Sequence, residues 1–412
     1  MKKIIVGSIV ASSVLMASGY RIPEASLNAV ALSAANIAHV KTADAAYYNP
    51  ANMVFMSDEN HLEADLKYIG LDAANYKGTA KNSRWLVDED ISSEKETFLV
   101  PSIHYVSGNV NGARYGVSIV SPGGLSKRWE DSVATYSAKE FTLELVEINP
   151  TVALPIGDKI GVAIGLRILH SKGIVKSDSP IASRDMSGDS IDFGYNLALS
   201  YKPTSALEFG LTYRSQVDLT TEGDAELSVS TSAAVGPYPA GTYASDSSAS
   251  LTVPLPAILA LAGAYTFSTN TTVEFVYERT YWSAYEELNF NYGSKAHAIT
   301  NAVFGKPIKK HWNDSNDYRL GVTQELSSMT LMAGAVYSET PIPEEDVTFD
   351  LPDSNSLSVS FGGRYHLNEK IDLGMSALYS MRESRTVEND DLKGEFSGSN
   401  ILIVSMGVGY KF

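Results

Sequence analysis

Residues 189–217 read DSIDFGYNLALSYKPTSALEFGLTYRSQV. From Ile191 to Tyr201 every second residue is apolar or aromatic (Ile191, Phe193, Tyr195, Leu197, Leu199, Tyr201), and Asp192, Gly194, Asn196 and Ser200 alternate with them. A period of two is the signature of a β-strand with unlike faces. Lys202-Pro203-Thr204-Ser205 reverses the chain, and a second strand follows over 205–217 with Glu208 and Arg214 on its polar side. Such a hairpin suits a soluble sandwich or a wall that faces lipid. The connections between strands decide which.

Comparable segments are predicted at 61–70, 97–107, 112–121, 142–155, 158–170, 249–266, 270–281, 314–326, 329–338, 355–367, 370–381 and 400–412, fourteen strands with the hairpin above. The links alternate. Tight ones (GNVNG, PIGDK, KPTS, FSTNT, ELSS, HLNEK) take turns with long polar ones near 71–96, 122–141, 171–188, 218–248, 282–313, 339–354 and 382–399. Short turns at one end, long loops at the other and an even strand number are the layout of an outer-membrane barrel. A sandwich has no reason to sort its loops that way. The last strand agrees: Leu402, Val404, Met406, Val408 and Tyr410 share a face and the chain stops on Phe412, the usual signal to the barrel assembly machinery.

The rest of the composition fits export. Lys2 and Lys3 precede an apolar run over 4–16 and a small-residue cleavage site near Ala17/Ser18, which reads as a signal peptide at 1–17. Hydrophobic residues make up 44%. Mean hydropathy is only −0.07, and no later run is long enough for a membrane helix. There is no cysteine, so neither a lipid anchor nor disulfides are expected. A net charge of −16 argues against nucleic acid.

Hydrocarbon offers no hydrogen bonds, so the sheet must close on itself. Fourteen strands enclose more space than wall side chains fill. Residues 18–60, rich in alanine, serine and asparagine and poor in strand pattern, are expected to fold into the lumen as a hatch, with the barrel at 61–412. The predicted fold is therefore all-β: a fourteen-stranded antiparallel transmembrane barrel with an N-terminal plug. Within the plug, Asn49-Pro50 marks a chain reversal.

Several stretches in this order resemble the FadL family of outer-membrane transporters of long-chain fatty acids and hydrocarbons. They are SGYRIPEASLN (18–28), DAAYYNPANM (44–53), SPGGLSKRWED (121–131), ERTYWSAYEEL (278–288), WNDSNDYRLGV (312–322) and the run 337–365. The resemblance implies a hydrophobic extracellular groove, an inner pocket and sideways exit through a gap at a kink in the third strand. It implies too that Asn49, Pro50 and Ala51 lie against that kink. Locally, Ser121-Pro122-Gly123-Gly124 suits such a break, because proline lacks a ladder donor and glycine weakens pairing.

The groove candidates are Leu125, Trp129, Tyr136 and Phe141, with Trp129 equally suited to an interfacial place among its charged neighbours. Lys172, Lys309 and Lys310 are the basic residues nearest the strand ends where the family holds a substrate head group. Arg114, Arg167, Arg214, Arg319 and Arg364 fall on inward faces and are expected to form a charge ladder with Asp192, Glu208 and Glu274. If no cation lines the pocket, a neutral hydrocarbon becomes the better substrate.

No energy-coupling segment is evident, which points to passive uptake of a hydrophobic small molecule by a monomer among outer-membrane lipid and lipopolysaccharide. No cofactor and no metal are expected; Glu344-Glu345-Asp346 reads as solvated surface. Two other classes stay open: a diffusion porin or structural barrel, and an outer-membrane hydrolase. For the hydrolase the 7 histidines offer no recognisable catalytic pairing.

Overall fold

The computed structural model describes residues 19–82, 85–130 and 132–412; the signal-peptide expectation at 1–17 lies outside them. The main sheet has eighteen strand segments. They make fourteen wall strands, three of them in two arms, plus a short edge piece, Phe290–Tyr292. In chain order the wall strands are His61–Leu71; Glu96–Val106; Arg114–Val120 with Gly124–Arg128; Glu140–Ile156; Ile160–Asp178; Ala182–Tyr201; Leu207–Arg214 with Val217–Thr231; Gly241–Leu255 with Ile258–Thr266; Thr271–Thr280; Ser315–Glu325; Met329–Ser338; Ser356–His366; Ile371–Arg382; and Ile401–Lys411. Neighbours are antiparallel, and the first strand pairs with both the second and the fourteenth, His61↔Lys411 through Leu71↔Ile401. The sheet is closed, as the alternation requires.

The apolar face looks outward. On the sixth strand Ile191, Phe193, Tyr195, Leu197, Leu199 and Tyr201 are all exposed, while Asn196, Ala198 and Ser200 are buried. An exposed belt of this extent is stable only against lipid. Above the belt the strands run further than the sequence suggested. The expected loops 171–188 and 218–248 are largely strand, with only 179–181 and 232–240 left as links. Outside the bilayer nothing stops Ser/Thr-rich segments from continuing a ladder once it is registered, and their polar alternation carries no hydropathy signal. The loop expected at 122–141 likewise holds the upper arm of the third strand and a helix, Thr135–Ala138. The first and last long links contain a four-stranded sheet, Ala74–Lys81, Leu86–Ser92, Arg385–Glu388 and Leu392–Gly398.

Residues from Gly19 to Met53 are almost all buried, and they bond to inward-facing wall groups. Glu274 of the ninth strand accepts backbone N–H bonds from Ile37, Ala38 and His39 at 2.7, 2.6 and 3.1 Å. His39 meets Glu208 at 2.7 Å, and Arg364 bonds Asn28 at 2.6 Å while pairing with Glu63 at 2.7 Å. Within the segment Asp44 accepts from Ser26, Asn36 and Thr42 at 2.7, 2.9 and 2.6 Å. Polar groups thus fix the plug to the wall in register, alongside apolar packing of Leu32, Ile37 and Met53 with wall residues such as Val106, Val276 and Met332.

Glu274→Ala leaves three buried N–H groups without their acceptor, at roughly 1–3 kcal/mol for each. Amide hydrogen exchange over 37–39 should accelerate strongly, while the barrel keeps its heat-modifiable migration on gels.

Candidate functional site: a slot in the barrel wall

The third strand breaks at Ser121-Pro122-Gly123. Its two arms pair with the fourth strand in registers that slip by one residue, Val120↔Glu147 below and Gly124↔Glu144 above. Only the lower arm reaches the second strand, and that ladder stops at Ile103↔Ile119. Above it the second strand keeps the first as its partner. The result is a slot, bounded at the top by Glu94 N–H donating to Arg128 O at 2.9 Å and by the Arg128–Glu96 pair at 2.9 Å.

Tyr20-Arg21-Ile22 runs into this slot. Ile22 N–H donates to Pro122 O at 2.9 Å and Gly124 N–H donates to Tyr20 O at 2.7 Å, so Arg21 lies opposite Gly123. The approach is close enough that a Cβ on Gly123 would sit 2.7 Å from Tyr20 O. Ile22 is buried with Ile69, Phe98 and Val100. The Tyr20 hydroxyl donates to Pro254 O, and its ring stands edge-on to Trp282 at 4.7 Å. Arg21 pairs with Glu278 at 3.0 Å; Arg319 meets the same carboxylate at 3.1 Å and Asp317 at 2.9 Å. Beside them Glu24 is buried with Oε2 unpartnered, and burial pushes its carboxyl up to about 7.

Behind the slot lies a cavity of about 40 Å³. Its lining includes Arg21, Tyr47, Pro122, Arg167, Arg214 and Leu255. Arg167 and Arg214 share one carboxylate, Glu147, with Arg167 at 2.9 Å, and Arg214 also stacks over the Tyr47 ring at 4.2 Å. Two guanidiniums on one acid leave a surplus positive charge at the cavity wall.

Leu125, Trp129 and Phe141 enter one buried cluster on the outer side of the barrel. Trp129 is only 1% exposed, donates Nε1–H to Phe349 O at 2.9 Å and packs edge-on against that ring, so it is not interfacial. Tyr136 lines a surface groove of about 300 Å³ with Val133, Phe349 and Leu392. Asn49, Pro50 and Ala51 are buried in the plug, and they do not occupy the slot. Asn49 donates to Ile37 O at 2.8 Å, and both lie against Gly210 of the seventh strand, while Ala51 lies against Gly161 of the fifth. Tyr20–Ile22 holds the position that the resemblance gave to Asn49–Ala51.

None of the three lysines lines the cavity. Lys172 and Lys309 are exposed, and Lys310 is buried in a 3.0 Å pair with Asp350. Burial alone would raise Asp350, but Lys310 holds it below its usual range. The five arginines do sit inward, as expected; the sequence reading missed Glu147 as the acid that gathers two of them. Among the described residues no group of His, Asp or Glu could hold a metal.

Residues 8–412 match the family described as "Outer membrane protein transport protein (OMPP1/FadL/TodX)". The chain belongs to this family. It is an outer-membrane transport protein, which displaces the hydrolase alternative. It is 24% identical over 364 residues to a long-chain fatty acid transport protein of Salmonella typhi, covering 80% of each chain. Among solved structures, a Pseudomonas aeruginosa FadL homologue matches with TM-score 0.80 at 15% identity, over 96% of this chain and 100% of that one. The P. putida toluene transporter TodX matches with TM-score 0.71 at 17% identity, over 94% and 99%. At such identities the structures attest the barrel fold.

Because the raised Glu24 group favours its neutral form in the seated plug, its contribution to seating is full at low pH and is lost as pH rises through about 7. Hydrogen exchange over 20–25, corrected for intrinsic rates, should be faster at pH 8 than at pH 6. In Glu24→Gln that difference should vanish.

Proposed function

We propose that this protein takes up long-chain fatty acids passively, capturing them at the outer groove and releasing them sideways through the third-strand slot, with Tyr20–Ile22 as the gate. The observation that carries the reading is the pairing of Tyr20–Ile22 with Pro122 and Gly124 across a slot that opens onto a cationic cavity.

A cavity of about 40 Å³ admits a few waters and no acyl chain. Binding therefore requires the cavity to widen, and withdrawal of Tyr20–Ile22 would extend it to the rings of Trp282, Tyr285 and Trp312, against which Tyr20 packs. An acyl chain gains about 0.8 kcal/mol per buried CH₂. It would forfeit that gain in a water-filled bore and retains it on passing from an apolar pocket into lipid. The surplus charge of Arg167 and Arg214 favours a carboxylate head group over a neutral hydrocarbon. Phe349 belongs to both the outer groove and the Trp129 cluster, which gives the substrate a continuous apolar approach.

Arg21 and Gly123 face each other as a non-hydrogen-bonded antiparallel pair, the geometry with the shorter Cα separation. In Arg21→Cys/Gly123→Cys, where the Tyr20 carbonyl must shift to admit the new Cβ, the oxidised cross-link should depress oleate uptake by cells relative to the same protein in dithiothreitol; equal rates in both states would remove the gate. Arg214→Gln should raise the half-saturating oleate concentration about tenfold, the loss of one charge-assisted bond, while toluene uptake stays unchanged.

A further inference from the structure

The wall has a second discontinuity, on the far side of the same cavity. The sixth strand pairs with the fifth along its whole length, Ile160↔Tyr201 to Asp178↔Ser183. Its ladder with the seventh strand runs from Phe209↔Tyr201 to Arg214↔Asn196, stops, and resumes only at Glu222↔Asp189. Between these points six residues of the sixth strand face seven of the seventh, a slip of one.

The cause lies in the sequence. The seventh and eighth strands break side by side, at 215–216 and 256–257, and keep one register across the break: Arg214↔Ile258 below and Val217↔Leu255 above. Pro254 and Pro256 remove two donors there. Above the break the two strands stay paired with each other and lose the sixth as a partner until Glu222. At the foot of the seam Ser215 N–H donates to Tyr195 O at 2.9 Å, and the Ser215 hydroxyl accepts from Tyr195 N–H at 2.9 Å. The carbonyl freed by the bend, Ser215 O, accepts from Arg167.

The seam lies where the apolar belt gives way to polar outward residues, at the boundary where a carboxylate head group and its acyl chain both find their medium. Its outward lips are Ile191 and Phe193 on the sixth strand, 61% and 64% exposed and the last apolar outward residues before Asp189. On the seventh strand its lips are Gln216 and Asp218, exposed and bonded to each other at 2.7 Å. Its inner side is Val217, buried and backed by Leu255, a cavity residue. A Cβ on Gly194 would lie 2.6 Å from Val217 Cγ2, so the missing side chain of Gly194 is what lets Val217 close the seam. Apolar surface is thus continuous from Leu255 through Val217 to Phe193, with the head-group cation Arg167 at its foot.

We infer that this seam is a second lateral portal, which passes the same amphiphilic carboxylates between the cavity and the outer leaflet independently of the third-strand slot. Val217 is its door and the Arg167–Ser215 bond its latch. A carboxylate bound to Arg167 competes for that bond and so frees the Ser215 strand. The inference rests on the lateral-release reading above, and its test separates the two.

The chain has no cysteine, and a Cβ at Gly194 would meet the Val217 side chain, so cysteines at the two positions would face each other across the seam once the Ser215 hydroxyl, 2.8 Å from that Cβ, gives way. Cells carrying the full chain would be assayed for oleate uptake with Gly194→Cys/Val217→Cys, with Arg21→Cys/Gly123→Cys, and with all four changes. The expected result is a reducible loss of about two-fold for each cross-link and a fall to background for the two together, as for two parallel exits closed by bonds of this geometry. Wild-type rates with the seam cross-linked, alongside background rates with the slot alone cross-linked, would overturn the portal. Wild-type rates with both closed would instead overturn lateral release itself. Should the cysteine pair fail to assemble, Val217→Ala in the oxidised slot-closed protein provides the same decision: uptake should recover, and no recovery rejects the portal.

Discussion

A peptide group inside a bilayer must find its hydrogen bond within the protein, and in this barrel that requirement governs every departure from a plain cylinder. Where the third strand abandons the second, Pro122 O and Gly124 N–H would be left bare. The chain's own leading residues cover them: Ile22 donates to one and Tyr20 O accepts from the other. The slot is covered only while Tyr20–Ile22 is seated, so the position of the plug and the completeness of the wall at the third strand are tied together.

The charged interior follows from the same arrangement. Apolar packing holds the plug without fixing its orientation; that is done by buried charges, which are unfavourable unless paired. Arg21, Glu278, Arg319 and Asp317 form one such set, and Arg364 with Glu63 another. The Arg167–Glu147–Arg214 set is different, since its charges do not balance. A structural bolt would gain from a second acid; a binding site is served by the surplus.

The strand count, the closure of the sheet and the inward arginines were legible because alternation is a local signal that tertiary packing cannot erase, as Ile191–Tyr201 illustrates. The break at Ser121–Gly124 was legible too, because proline and glycine leave their mark in the sequence. What occupies the break was not. Tyr20–Ile22 carries no periodicity, and its partners lie a hundred residues and more away. The lysines misled for a related reason: sequence proximity to strand ends says nothing about which way a side chain points, and Lys172 sits on an outward position of its strand. Trp129, among charges in the sequence, is buried because its neighbours are surface groups while the ring turns under Phe349. The extended fifth to eighth strands escaped notice because serine and threonine can continue a ladder without any contrast between faces.

The four-stranded outer sheet bears on how the cylinder stays shut. The register joining the first and fourteenth strands, Leu71↔Ile401, continues without a slip at Ala74↔Gly398 and on to Ala80↔Leu392. The join between the chain's two ends is therefore zipped beyond the membrane by a collar of further pairs. That join closes the longest loop in the molecule, the step that chain entropy delays most. The collar can engage only after the strands of that join have met, so it adds seven pairs, Ala74↔Gly398 to Ala80↔Leu392, that must also part before the join can open from above.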